Sequence, residues 1–167
     1  MTLIFIAGGA RSGKSRKGEE LAIALAGEGR PVFIATAEAV DDEMKSRIEK
    51  HQLDRGNAFE LIEEAQNLTR VLMQLNPSAT VLVDCLTLWL SNNMMGTKVD
   101  SNSSVISAAR ARDGVTIFIS NEVGEGIVPM HPVSRQFRDL SGIMNQEFAQ
   151  ASDKVYFMKF GIAQELK

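Results

Sequence analysis

The chain has a single cysteine, Cys85, in 167 residues, which excludes an internal disulfide framework and fits a reducing cytosol. Positive charge is not in excess: 18 Lys and Arg against 21 Asp and Glu leave a net charge of −3, so no basic face for nucleic acid or an anionic membrane is implied. Any local concentration of positive charge must serve a small anion instead. No apolar run has membrane-spanning length, and the apolar N-terminus reaches Gly8 within a few residues and without a basic segment before it. That start reads as a first β-strand. Internal repeats, low-complexity tracts and linkers are missing as well. With 44% hydrophobic residues the chain can build one sizeable core, and residues 1–167 are expected to fold as a single domain.

What is present is most informative at Leu3 to Ser15, where an apolar run is followed by GxxxxGK(S/T) and then by a helix-compatible sequence. This spacing is that of a phosphate-binding loop made of Gly8, Gly9, Ala10, Arg11, Ser12, Gly13, Lys14 and Ser15. Gly8 and Gly13 permit the tight turn that points backbone N–H groups inward. There they, the helix N-terminus and the Lys14 ammonium can surround nucleotide phosphates. The Ser15 hydroxyl would ligate Mg²⁺. A Gly-rich turn beside a solvated lysine is the plain alternative.

Further β-rich runs at Val32–Thr36, Thr80–Asp84, Thr116–Ser120 and Val155–Phe160 alternate with helix-like stretches, which predicts a mostly parallel sheet with helices on both faces. Such a three-layer α/β arrangement around a phosphate loop is the RecA-like type of P-loop NTPase. Helices are expected over Glu19–Ala26, Asp41–His51, Glu64–Leu75 and Pro132–Ala151, and another starting at Leu86. The stretch Asn92–Ser104 is expected to be an exposed loop with a short helix after it.

A phosphate loop needs an acidic partner at the end of another parallel strand to hold magnesium, and Val81-Leu82-Val83-Asp84 supplies one. Asp84 could equally cap the helix that follows it. Of the two histidines, His131 reads as a loop residue, whereas His51 falls with Arg47 and Arg55 at i,i+4 spacing along one helical face. Two guanidiniums would favour the neutral imidazole, the form able to attack phosphorus, although an exposed histidine among charges is ordinarily just solvated. Asn121 and Glu122 follow the Thr116–Ser120 strand and are candidates for substrate or magnesium contacts, or simply turn the chain. Glu63 reads first as a capping carboxylate. No NKxD-type sequence names the base, so residue patterns stop at nucleoside triphosphate and magnesium.

Taken in order, GGARSGKSR (Gly8–Arg16), IAT (Ile34–Thr36), DDEMKSRIEKH (Asp41–His51), DCLTLWLSN (Asp84–Asn92), NEVGEGIVP (Asn121–Pro129), FRDLSGIMNQEFA (Phe137–Ala149) and Gly161-Ile162 resemble the bifunctional adenosylcobinamide kinase/adenosylcobinamide-phosphate guanylyltransferase family of cobalamin synthesis. The resemblance implies phosphorylation of adenosylcobinamide by ATP or GTP, then transfer of GMP from GTP to adenosylcobinamide phosphate through a guanylyl-histidine. It assigns His51 and Lys14 to catalysis and Ser15 and Asp84 to Mg²⁺. Contacts to the guanine nucleotide or its metal would come from Ala35, Thr36, Ala37, Asp54, Arg55, Gly56, Asn57, Glu63 and Asp84, with Arg47 beside the phosphates. A cytoplasmic homo-oligomer, a trimer in this family, is the assembly it implies. Here only Asn93–Val115 separates the DCLTLWLSN and NEVG segments, shorter than is usual for the family. A plain phosphate-loop kinase and a nucleotide-responsive binding module remain alternatives.

Overall fold

Leu3, Ile4, Phe5 and Ile6 are each at most 3% exposed, so β1 (Thr2–Gly8) is covered on both faces, as a central parallel strand must be. The computed structural model describes residues 1–37, 57–96 and 100–167. Within them the other strands are β2 (Val32–Ala35), β3 (Glu60–Glu63), β4 (Val81–Asp84), β5 (Val115–Asn121), β6 (Lys154–Lys159) and β7 (Ile162–Glu165). They form one sheet in the order β3-β2-β4-β5-β1-β6-β7. All neighbours pair parallel except β6 with β7.

The period-two alternation of β1 decides the layers. Leu3, Phe5 and Ala7 share one core with Leu72 of α2 (Leu68–Gln74), Trp89 of α3 (Leu86–Met95), Ala109 of α4 (Asn102–Arg110) and Phe148 of α5 (Pro132–Ala151). Ile4 and Ile6 face the opposite core, against Ala22 of α1 (Lys14–Leu25). Burying each large apolar side chain is worth about 1.5–3 kcal/mol, so this strand clamps both layers. The Phe148 ring meets Phe118 edge-on at 4.9 Å and stacks near Phe5, which fixes α5 against the middle of the sheet. The result is the expected three-layer, mostly parallel architecture.

Several element boundaries differ from expectation. Helix α1 begins at Lys14, not Glu19, because Gly13 delivers the chain directly from the loop into the helix. Helix α3 extends to Met95 and α4 opens at Asn102, so both ends of the stretch expected as loop are helical. The Ser101 side chain caps α4 by accepting the Ser104 N–H at 3.1 Å. Strands β3 and β7 had no counterpart in the sequence reading; both are four-residue edge strands with mostly exposed residues. The helix expected over Asp41–His51 lies outside the described residues. Among the described residues no helix is long and apolar enough to cross a membrane.

Candidate active site

Six strands run parallel, so their carboxyl ends share one edge of the sheet, where ligand crevices of such sheets form. The register places Gly8 opposite Asn121 and Met158, and Ala35 opposite both Asp84 and Glu63. The sequence-named residues at strand ends are thereby gathered along one line.

The phosphate loop crosses the middle of this edge. Its carbonyls are engaged by backbone N–H groups: Gly8 accepts the Glu122 N–H at 3.0 Å, Gly9 the Ser12 N–H at 3.3 Å, Ser12 the Gly161 N–H at 3.0 Å and Gly13 the Lys17 N–H at 3.0 Å. The first N–H groups of α1 have no partner within the helix. Gly13 has φ 95°, a left-handed conformation that side chains rarely adopt. At Gly8 a Cβ would stand 2.5 Å from the Met158 carbonyl oxygen, so that position excludes any side chain. The Ser12 hydroxyl is buried with no hydrogen-bond partner among the described residues, an orphan polar atom inside the loop that suits an anion.

Lys14 is 8% exposed, and its Nζ donates to the Gly9 carbonyl at 3.0 Å, across the loop. Burial pulls its pKa below the ordinary lysine value, while the charge of Asp84 pushes it back up. Lys14 follows β1 and Asp84 ends β4, with β5 between those two strands. Asp84 ends β4 and is not the helix cap. Cys85 occupies that position and makes no side-chain capping bond. Among the described residues no group of three His, Cys, Asp or Glu side chains could cage a metal ion. Ser15 and Asp84 are hard oxygen donors of the kind Mg²⁺ takes, and Mg²⁺ commonly completes its shell with water and substrate phosphates.

Beneath Asp84 lies a buried polar lattice. The Thr36 hydroxyl accepts the Cys85 N–H and donates to the Cys85 carbonyl, each at 2.7 Å. Asn92 Nδ2 donates to the carbonyls of Thr36 at 2.9 Å and Ala65 at 3.1 Å. On the other side of Cys85, Thr87 Oγ1 accepts both the backbone N–H and the Nδ2 of Asn121, at 3.1 and 2.9 Å. Burial, then Asp84, pushes the Cys85 thiol up, so it stays protonated and serves as a weak acceptor rather than a nucleophile.

The site residues named from sequence divide accordingly. Gly8 to Ser15, Ala35, Thr36, Ala37 and Asp84 stand together at the carboxyl edge, with Thr36 buried and turned into the lattice. The Asn121 amide is directed at Thr87, and Glu122 Oε1 accepts the Gly124 N–H, so both shape the loop after β5. Glu63 is the last residue of β3 and does not cap a helix. The carboxylate that meets the first turn of α2 is that of Asp100, whose Oδ2 accepts the Thr69 N–H at 2.8 Å, whereas Glu64 Oε1 accepts the N–H groups of Gln66 and Asn67 at 3.0 and 2.9 Å and closes the turn before the helix. Asn57 is exposed, ahead of β3, and His131 holds the N-cap position of α5 without a side-chain bond. His51, Arg47, Asp54, Arg55 and Gly56 lie outside the described residues.

Thr87 was missed by sequence reasoning, since a threonine three residues after Asp84 looks like ordinary helix. A hydroxyl in the first turn after a buried strand was the available signal.

The family model for cobinamide kinase/cobinamide phosphate guanyltransferase matches residues 4–166. A protein of Pseudomonas aeruginosa, the bifunctional adenosylcobalamin biosynthesis protein CobP, is 38% identical over 168 aligned positions, covering 97% of this chain and 95% of that protein. The bifunctional adenosylcobalamin biosynthesis protein CobU of Escherichia coli is 34% identical over 183 positions, covering 99% of each. That second alignment is longer than this chain, so the relative carries positions that are missing here. Among solved structures, the flagellar accessory protein FlaH of Methanocaldococcus jannaschii superposes with a TM-score of 0.55 at 15% identity, covering 99% of this chain and 78% of that one, a likeness of fold alone. With a GxxxxGKS loop at the carboxyl edge of a mostly parallel sheet and a family match over nearly its whole length, the chain belongs to the cobinamide kinase/cobinamide phosphate guanyltransferase family.

Proposed function

We propose that this single domain catalyses both reactions of its family with one nucleotide site, and that the guanylyl group passes through His51. In the first reaction the loop presents the γ-phosphoryl of ATP or GTP to the hydroxyl of adenosylcobinamide. In the second, a neutral His51 nitrogen attacks the α-phosphorus of GTP and the bond to the β-phosphate oxygen breaks, releasing pyrophosphate and leaving a phosphoramidate. An oxygen of adenosylcobinamide phosphate then attacks the same phosphorus, the P–N bond breaks, and adenosylcobinamide-GDP forms.

Lys14 and the N–H groups at the start of α1 supply fixed positive charge where oxygen charge builds, at low cost because the helix already orients those amides. Ser15 and Asp84 would hold Mg²⁺, which adds further charge neutralisation when bound. Arg47 and Arg55 belong to the same segment as His51 and serve the phosphates. Ala35 to Ala37, Asp54 to Asn57 and Glu63 contribute to nucleotide binding.

The observation that carries this reading is that the loop with Lys14, the end of β4 with Asp84 and the end of β2 share one carboxyl edge of the sheet. The chain leads from Ala37, at that same edge, into the segment that carries His51. A cytoplasmic homo-oligomer, a trimer as the family resemblance implies, completes the proposal.

The test is labelling with GTP carrying radiolabel at the α-phosphorus. Wild type with Mg²⁺ is expected to take up acid-labile, alkali-stable label, and His51→Ala none. Label that persists in His51→Ala overturns the assignment of His51. Wild type that takes up no label yet phosphorylates adenosylcobinamide is a kinase only.

A further inference from the structure

We propose that the connection between β5 and α5, residues 122–131 with the first turn of α5, is the docking surface for the corrinoid macrocycle of adenosylcobinamide. This rests on the function proposed above and extends it from the nucleotide to the acceptor.

Topology sets the place. Because β5 and β6 both run parallel to β1, the helix between them must start at the carboxyl edge and return along the sheet. The whole connection from Asn121 to Pro132 therefore stands at the edge that carries the phosphate loop. Its first residue is joined to that loop, since the Glu122 N–H donates to the Gly8 carbonyl at 3.0 Å. The nucleotide residues at the ends of β2 and β3 lie beyond β4, which leaves the end of β5 to the other substrate.

The side chains of the connection are not those of a plain turn. Ile127 is 97% exposed, Met130 90%, Val133 61% and Val128 60%, four large apolar side chains within seven positions. Single exposed apolar residues are commonplace, whereas a contiguous group marks a surface made to be covered. The backbone beneath them is held. Glu122 Oε1 accepts the Gly124 N–H, and Asn145 Nδ2 donates to the Asn121 carbonyl at 3.2 Å. At the far end Arg135 Nη1 donates to the carbonyls of Pro129 and Met130 at 3.0 and 2.7 Å. A surface ordered in advance loses less conformational freedom on binding.

The chemistry of the acceptor matches. A corrinoid carries methyl groups and neutral amides around its rim, and Co(III) with the corrin monoanion and the adenosyl carbanion leaves one net positive charge. Residues 121–130 contain two carboxylates, Glu122 and Glu125, and neither Lys nor Arg. Glu122 is engaged by Gly124 and the Arg135 guanidinium by backbone oxygens, so the exposed Glu125 is the charge left to meet a cationic macrocycle. A second copy of this chain, with its net charge of −3, would bring like charge instead.

The experiment is equilibrium dialysis of the full-length protein against adenosylcobinamide and against dicyanocobinamide, the same macrocycle made neutral by its two cyanides, read by corrinoid absorbance. Calorimetric titration with Mg·GTP runs beside it. Ile127→Ser with Met130→Ser changes only exposed surface and is expected to fold, to bind both corrinoids about tenfold or more weakly, and to bind GTP as wild type does. Glu125→Gln is expected to bind adenosylcobinamide about two- to fivefold more weakly and dicyanocobinamide as wild type does.

Undiminished corrinoid affinity in the double variant would overturn the proposal, and a smaller assembly in sedimentation would then give the surface to a second copy. Equal losses for corrinoid and GTP would overturn it in favour of a connection that merely shapes the phosphate site. Failure of the underlying reading looks different: wild type would keep its loop-dependent corrinoid binding yet transfer neither phosphate nor GMP to the corrinoid.

Discussion

The Thr36 hydroxyl grips the backbone of Cys85 from both directions, accepting its N–H and donating to its carbonyl at 2.7 Å each. This single side chain ties the end of β2 to the residue that follows Asp84. It thereby holds the acidic group of one strand and the exit of another in fixed relation, with the Thr36 N–H adding a bond to the Asp84 carbonyl at 3.1 Å.

Replacing Thr36 with Val keeps the shape and deletes both side-chain bonds, leaving the buried Cys85 N–H without its partner while the Cys85 carbonyl keeps the Trp89 N–H at 3.1 Å. The expected cost is about 1–3 kcal/mol, read as a lower urea midpoint at unchanged slope. A weaker response of GTP affinity to Mg²⁺ should accompany it, since Asp84 loses its anchorage. An unchanged midpoint would show that the hydroxyl is dispensable.

Lys14 provides a pH dependence whose sign can be worked out. Its folded pKa lies below the ordinary lysine value, chiefly through burial, so between those two values the unfolded chain holds more protons and stability rises with pH. Nucleotide phosphates favour the ammonium and restore its pKa, so binding takes up a proton in that window. GTP affinity should accordingly fall as pH climbs through the lowered pKa. In Lys14→Met the affinity should drop roughly 10- to 100-fold and this alkaline slope should vanish. Titrations in buffers of differing ionisation heat would report the proton directly.

Far from the site, the 4% exposed Arg112 donates to the carbonyls of Leu72 at 2.9 Å, Asn76 at 3.0 Å and Ala79 at 2.8 Å. It closes the C-terminal end of α2, where helix carbonyls have no partner of their own. Arg112→Met should cost about 3 kcal/mol by removing the guanidinium from the Leu72 and Ala79 oxygens, Asn76 keeping the Ala79 N–H at 3.0 Å, while surviving folded protein keeps its GTP affinity. Thermal unfolding beside a binding titration separates the two effects.

The loop and the five strands with strong apolar runs were legible because buried parallel strands are written as continuous Ile, Val, Leu and Phe. Asp84 was legible by its place at the end of such a run. Glu63 and Glu64, by contrast, are adjacent carboxylates that no local pattern separates. Only the end of β3 keeps Glu63 in the sheet and leaves Glu64 to close the turn before α2. Strands β3 and β7 escaped notice for a related reason: an exposed edge strand carries little apolar pattern, and its pairing is dictated by the neighbour it finds.

From residues 8 to 15 alone, the chain determined a glycine-shaped loop that runs straight into a helix with Lys14 at its start, since glycine spacing and lysine position act within one turn of backbone. Which strands stand beside that loop was decided by tertiary structure. Asp84 ends up two strands from β1 at the same edge, Thr36 seizes Cys85 from 49 positions away, and Gly161 comes back to bond Ser12. Contacts of such sequence separation depend on how two apolar faces of one sheet are covered, which no local stretch of residues encodes.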